Sequence, residues 1–265
     1  METDRALLLS LSELARRYRE LELPAEGGPL SAFELRCFSQ HGEDGVIAEL
    51  LRRIGIETRF FVEFGVESGR EGNCVFLADV QGWSGLFIEA DEHLYRALAR
   101  KYERNPRVQS VNAEVTAGNI ESLFAAAGTP PAPDVMSIDI DGADYWVWEA
   151  ITAYRPRLVV IEYNAALPSG RRLVQPVEHA EPWDGTDYFG ASLEALVELG
   201  ERKGYRLVHT ELAAINAFFV DTELHATGLP QADEVEQRGE PNYFLQGYQH
   251  PRDRRRRRYV EPRPR

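Results

Sequence analysis

Acidic side chains sit within or at the ends of four hydrophobic runs in this 265-residue chain, where the backbone is about to turn. The first run, Phe60-Phe-Val-Glu-Phe64, is apolar around Glu63 and breaks off at Gly65-x-x-x-Gly69. A short apolar run flanked by glycine reads as a buried parallel strand turning sharply into a loop. Gly65 lets the backbone bend and lets a ligand come close, where a Cβ would collide. Twenty residues beyond Gly69, the run Gly85-Leu-Phe-Ile-Glu-Ala90 places Glu89 where an acid reaches the hydroxyls of a ribose. The glycine spacing is not the Gly-x-Gly-x-x-Gly that seats a pyrophosphate on a helix start. The loop is therefore read as one for an adenosyl ligand without phosphates, which points to S-adenosylmethionine. A plain structural turn is the alternative on the glycines alone.

The remaining acids are closer together. In Val135-Met-Ser-Ile-Asp-Ile-Asp-Gly142, Asp139 and Asp141 are two apart and would share one face of a continuing strand. Leu158-Val-Val-Ile-Glu-Tyr-Asn164 puts Glu162 and Asn164 on one face in the same way. Adjacent parallel strands would gather all four above the sheet edge. Three carboxylates there repel unless protonated, hydrogen-bonded or bridged by a cation. An all-oxygen set favours a hard ion, Mg2+ or Mn2+ or Ca2+, over zinc. The other reading has Asp139 and Asp141 capping the next helix or holding the cofactor's amino group. His179 is the candidate general base, since imidazole titrates near working pH, with a solvated loop histidine as the alternative. Trp183, Tyr188 and Phe189 either wall a substrate pocket or pack their own loop.

Positioning these groups requires a particular set of elements. Strands are expected near 59–64, 85–89, 107–111, 134–140 and 157–163, with helices near 46–54, 92–103, 117–127 and 144–152 between or before them. Such alternation gives a parallel sheet with helices on both faces. After a helix near 191–203 come two strands, 205–209 and 217–220, about seven residues apart. A parallel crossover needs a dozen or more, so these two form an antiparallel hairpin. The fold class is α/β: a Rossmann-like, mostly parallel sheet with an antiparallel C-terminal hairpin, of the class I methyltransferase type. Residues 1–38 read as an N-terminal helical extension, amphipathic over 3–20. The main domain covers 39–250, and its proline- and glycine-rich stretch 165–190 reads as a lid at the carboxyl end of the fifth strand.

Composition narrows the partners. The net charge of −13 argues against general nucleic-acid binding. Residues 251–265 are a basic tail, expected to be disordered. From Arg252 to Arg265, eight arginines stand against Asp253 and Glu261, a charge of +6, which leaves −19 on the rest. No apolar run approaches the length that spans a bilayer, so no membrane role and a cytoplasmic location are expected. Two cysteines, Cys37 and Cys74, exclude a disulfide framework, and Cys74 reads as a buried small hydrophobe. A homo-oligomer is compatible with the N-terminal helix.

Several stretches taken in order, Ser39-Gln-His-Gly-Glu-Asp-Gly45, Phe61-Val-Glu-Phe-Gly65, Asn73, Gly82-Trp-Ser-Gly-Leu-Phe-Ile-Glu89 and Ser137-Ile-Asp-Ile-Asp-Gly142, resemble the FkbM-type class I methyltransferases. The resemblance runs from about residue 39 to 165. It implies S-adenosylmethionine as methyl donor and an oxygen acceptor, often on sugars or natural products. It also implies that Glu63, Gly65 and Gly69 surround the methionine part, that Asn73 is among the cofactor-binding residues, that Glu89 holds the ribose, that Asn112 faces the adenine and that Gln40 closes the site. The family usually has Asp-x-Glu-Gly where this chain has Asp139-Ile-Asp-Gly142. The expected function is an S-adenosylmethionine-dependent O-methyltransferase acting on a small hydroxylated molecule, with a divalent metal assisting. A non-catalytic module binding an adenosyl ligand or nucleotide sugar is the runner-up.

Overall fold

The computed structural model describes residues 28–177, 183–224, 226, 228–230, 235 and 240–262. Period-2 alternation builds its centre. In β1 (Phe60–Phe64), Val62 and Phe64 face one side of the sheet and Phe61 and Glu63 the other. β2 (Ser84–Glu89), β3 (Val108–Asn112), β4 (Val135–Ile138) and β5 (Leu158–Glu162) join it in parallel register. β6 (Tyr205–Thr210) and β7 (Asn216–Asp221) form the antiparallel hairpin, with β7 inserted antiparallel beside β5. The order is β3-β2-β1-β4-β5-β7-β6. This is the Rossmann-like, mostly parallel sheet with an antiparallel C-terminal hairpin that the sequence leads one to expect.

Helices cover both faces, as the two separate apolar clusters require. On one side α1 (Glu43–Ile54), α2 (Val75–Asp79) and α3 (Glu92–Tyr102) pack Val46, Leu50, Leu77 and Leu98 against Phe61 and Phe87. On the other, α4 (Ile120–Ala126), α5 (Asp144–Ala150) and α6 (Leu193–Arg202) bring Phe124, Trp148 and Leu196 against Val62, Ile138 and Ile161. A short α7 (Tyr243–Gln246) follows the hairpin. Neither α2 nor α7 is anticipated by periodicity, because each is under two turns long.

β1 lies between β2 and β4, and the chain winds outward from it in both directions. Ligands in open α/β sheets bind at that reversal, beyond the carboxyl ends of the strands. Gly65 and Asp139 stand there.

The basic tail is not free. Val260 pairs with Val174 in an antiparallel bridge, and Val174 also bridges Ala191. The Tyr259 hydroxyl accepts from Asn164 Nδ2 at 3.2 Å and from the Phe189 amide at 3.1 Å. Residues 248–262 thus form a strap along the segment 183–190, in place of the expected disordered tail. Those bridges also tie down the segment expected as a lid. The N-terminal helix and His179 lie outside the described residues. Among the described residues, no helix is long and apolar enough to cross a membrane.

Candidate active site

A cavity of about 650 Å³ opens at the carboxyl ends of β1, β2, β4 and β5. Its entrance loop is shaped by Asp44. One carboxylate oxygen of Asp44 accepts the backbone amides of Cys37, Phe38 and Ser39 and the Ser39 hydroxyl, all at 2.7–2.8 Å. The loop so folded carries Gln40 to the cavity wall.

Glu63 and Glu89 are set in different ways. The Glu63 carboxylate accepts the amides of Asn73 (2.7 Å) and Cys74 (2.9 Å) at the start of α2, and burial pushes it up to about 7. Asn73 Nδ2 donates to the Ser137 hydroxyl at 3.0 Å, tying this loop to β4. Glu89 accepts the Glu67 amide at 2.7 Å and the Asp91 amide at 2.8 Å, which fixes its carboxylate at the cavity edge with lone pairs to spare. Ile88, Leu94, Ala113, Val115 and Ile140 give apolar wall beside it.

The turn after β4 carries the acids. β4 ends at Ile138, so Asp139 and Asp141 do not share a strand face as expected. Asp141 instead adopts left-handed backbone, φ +57°. Asp144 holds this turn by accepting the amides of Ile140 (2.8 Å) and Gly142 (2.9 Å). The outcome for chemistry is nonetheless convergence: carboxylate oxygens of Asp139, Asp141 and Glu162 lie within 4.8 Å of one another. Burial, then mutual repulsion, raises Asp139 and Glu162 well above the carboxylate range. Asp141 is exposed overall but lines the cavity. Desolvation there, with Asp144, Glu67 and Glu89 nearby, raises it to about 6. Glu162 Oε2 is buried with no hydrogen-bond partner. Asn164 does not join them. Its amide donates to the carbonyls of Asp187 and Phe189 and to Tyr259, and its oxygen accepts the Ala166 amide.

Three other expectations change. A Cβ on Gly65 (φ +81°) would stand 1.6 Å from the Asp139 carbonyl oxygen, so the turn after β4 demands the glycine whether or not a ligand approaches, and the glycine also lines the cavity. Gly69 (φ +69°) is demanded by Leu98, 2.6 Å from its virtual Cβ, and does not line the cavity. Asn112 turns its amide onto the carbonyls of Glu89 (2.8 Å) and Ala90 (3.0 Å), holding the end of β2, and is also outside the lining.

Several lining residues escape the sequence reading. Asn216 stands directly opposite Glu162 in the β5–β7 register and donates to Glu43 at 2.9 Å. Burial pushes the neighbouring Glu211 carboxyl far up, whereas hydrogen bonds hold Glu43 below its ordinary value despite its own burial. Tyr248 and His250 come from the strap. The His250 ring meets Trp183 edge-on at 4.8 Å, with Phe189 at 5.5 Å and Tyr248 at 4.9 Å. Burial pulls His250 below its usual value against the opposing pull of Asp187. The only local signal for these residues is an aromatic–histidine cluster before the arginines, which has no periodicity.

No family model matches the chain, and no curated protein matches it in sequence. Among solved structures, the N-terminal domain of EvdMO1 with SAH bound is similar over 79% of this chain and 94% of its own. The identity is 16% and the TM-score 0.44. A putative caffeoyl-CoA O-methyltransferase from Staphylococcus aureus is similar over 81% of this chain and 91% of its own, at 14% identity and a TM-score of 0.46. Fibrillarin of Aeropyrum pernix, in complex with natively bound S-adenosyl-L-methionine, covers 63% and 67%, at 12% identity and 0.41. At such identities and scores the likeness assigns no activity.

Proposed function

We propose that the protein transfers a methyl group from S-adenosylmethionine to a hydroxyl of a small hydroxylated molecule, a sugar or other natural product, with a divalent cation at the carboxylate triad. The observation that carries this reading is one cavity holding two complementary halves. One half offers Glu89 beside an apolar wall, and the other the crowded oxygens of Asp139, Asp141 and Glu162. The FkbM-type motifs fall on the same walls and support the same reading.

The residues present fit both groups. Glu89 keeps unused lone pairs for ribose hydroxyls, Leu94, Ala113 and Val115 suit a flat base, and Gln40, Glu63 and Asn73 surround the amino-acid end. When bound, S-adenosylmethionine supplies an electrophilic methyl on a cationic sulfur. For the cation, the orphaned Glu162 Oε2 and the mutual repulsion of three carboxylates are the fit. A hard dication there would neutralise the triad and acidify an acceptor hydroxyl. The chain's own residues orient and shield. Trp183, Phe189 and Tyr248 wall the acceptor side, and His250, whose charged form partial burial disfavours, would take the hydroxyl proton at a ring nitrogen. His250 is thus the base in this proposal, His179 lying outside the described residues.

Calorimetry and a methyl-transfer assay test this together. S-adenosylhomocysteine is expected to bind with or without metal, a chelator to abolish turnover, and magnesium or manganese to restore it. Glu162→Gln is expected to lower turnover by on the order of a hundredfold while leaving S-adenosylhomocysteine affinity within about twofold. A protein that binds neither adenosyl compound would overturn the reading. One that binds but never turns over any hydroxylated acceptor would be the non-catalytic module instead.

A further inference from the structure

The cavity and its rim carry opposite charge. Eight of the residues lining the cavity are aspartate or glutamate, and none is lysine or arginine. Immediately after Tyr248, Gln249 and His250, which form its rim, the strap presents six arginines between Arg252 and Arg258. Arg257 is used internally. It pairs with Asp184 at 2.7 Å and Asp253 at 3.3 Å and stacks on Tyr188 at 4.3 Å. Arg252, Arg254, Arg256 and Arg258 are exposed, and among the described residues none of them has an ion-pair partner. The chain outside this tail is strongly acidic, yet the carboxylates that reach this run, Asp184 and Asp253, pair with Arg257 and not with these four. Four exposed guanidinium groups within seven residues, with no ion-pair partner of their own among the described residues, make a local positive field that attracts an anion from outside.

The strap cannot simply swing away from the cavity. The Asp187 amide donates to the Pro251 carbonyl at 2.9 Å, and the Asp253 amide to the Asp187 carboxylate at 2.7 Å. On the far side of the arginines, Tyr259 and Val260 are fixed to Asn164 and Val174. The arginines are therefore held next to the residues that wall the acceptor side.

We propose that this arginine rim binds a pyrophosphate group, and that the acceptor is a small conjugate whose hydroxylated part enters the cavity while its pyrophosphate stays outside on Arg252, Arg254, Arg256 and Arg258. The proposal builds on the methyl-transfer reading and names the substrate class for it. The chemistry is consistent on both sides of the rim. Guanidinium forks match phosphate oxygens two at a time, whereas the carboxylates inside would repel them. The division also explains how a glycine loop unsuited to pyrophosphate coexists with a phosphate-binding surface: the phosphates belong to the second substrate, not to the cofactor. A nucleic acid is disfavoured, because a patch of seven residues sits on a body of net negative charge that repels a long polyanion.

Titration of the full-length protein with inorganic pyrophosphate at about 50 mM salt, followed by calorimetry, tests the rim directly. The wild type is expected to bind, and Arg252→Gln/Arg254→Gln/Arg258→Gln to bind at least about tenfold more weakly. The matching triple lysine variant is expected to fall between them, since it keeps charge without the fork. S-adenosylhomocysteine affinity, measured on the same samples, is expected to stay within about twofold, which also certifies that the variants are folded. No pyrophosphate binding by the wild type, or equal binding by the glutamine variant, would overturn the proposal. So would a short DNA duplex that binds more tightly than pyrophosphate and is lost with the same substitutions, which would make the rim a nucleic-acid surface. Pyrophosphate binding that persists in a protein unable to bind S-adenosylhomocysteine would refute the methyl-transfer reading and leave the rim standing.

Discussion

Glu89 illustrates how one carboxylate is both part of the fold and part of the site. Its two oxygens accept the amides of Glu67 and Asp91, so replacing it strips two backbone donors as well as a ligand acceptor. Glu89→Ala is expected to cost about 1–3 kcal/mol of S-adenosylhomocysteine affinity by calorimetry and to lower the melting temperature as well. A variant with normal affinity would place the adenosyl ligand elsewhere. Gly65 makes the contrasting case. Its virtual Cβ collides with the Asp139 carbonyl at 1.6 Å in backbone that disfavours side chains, so Gly65→Ala is expected to destabilise the fold by more than about 2 kcal/mol in denaturant unfolding. Gly170, at similar φ with nothing nearby, should tolerate alanine far better. From sequence both look like loop glycines, because the collision is with a residue 74 positions away. Acids are ambiguous for the same reason. Asp134 opens β4 and is consumed by the amides of Glu57, Thr58 and Arg59 and by Arg157 at 3.1 Å, whereas Asp139 closes the same strand and faces the cavity.

Among the elements, β1, β2, β4 and β5 were legible as short apolar runs set off by glycine or proline, β3 by its place in the alternation, and the hairpin because seven residues are too few for a crossover. The strap was not. Its order comes from contacts such as Tyr259 with Asn164, 95 residues apart, and local composition there speaks only of charge. The strap's hold rests heavily on one hydroxyl, which accepts from Asn164 Nδ2 and the Phe189 amide and lies 3.2 Å from the carbonyls of Asp187 and Phe189. Tyr259→Phe leaves these groups short of a partner and is expected to cost about 1–3 kcal/mol locally. Hydrogen exchange should then quicken in residues 183–190 and 248–260 together while β1 and β4 stay protected. Exchange confined to the residues flanking 259 would mean that strap and wall do not open as one unit.

At the scale of the whole molecule, a chain of net charge −13 places eight of its 43 acidic residues around one cavity, and that has a consequence for stability. Seven carboxyls, Asp44, Glu63, Asp139, Asp141, Asp144, Glu162 and Glu211, titrate higher in the folded protein than they would unfolded. A group of this kind contributes stability that is complete below its unfolded value and is lost as pH rises through the folded one. For Glu63 that window runs from 4.5 to about 7, and for Asp141 from 3.8 to about 6. Glu63 alone accounts for up to about 3 kcal/mol. His41 and His250 act in the opposite sense, since burial lowers both and their contribution is lost as pH falls through the folded value. Glu43, Glu49, Glu121 and Asp184 are lowered below their ordinary values, so their contributions change in more acid solution than this window. Seven carboxyls against two imidazoles make the sign. In chelator, the melting temperature is expected to fall as pH is raised from about 5 to about 8. Glu63→Gln should remove part of that slope. Magnesium should remove another part, and increasingly so at the alkaline end, because the ion competes with the protons on Asp139, Asp141 and Glu162. A melting temperature that is flat or rises over that range without divalent ions would mean that these carboxyls are not held neutral by the fold. A magnesium effect that persists in Glu162→Gln at full strength would move the ion away from the triad.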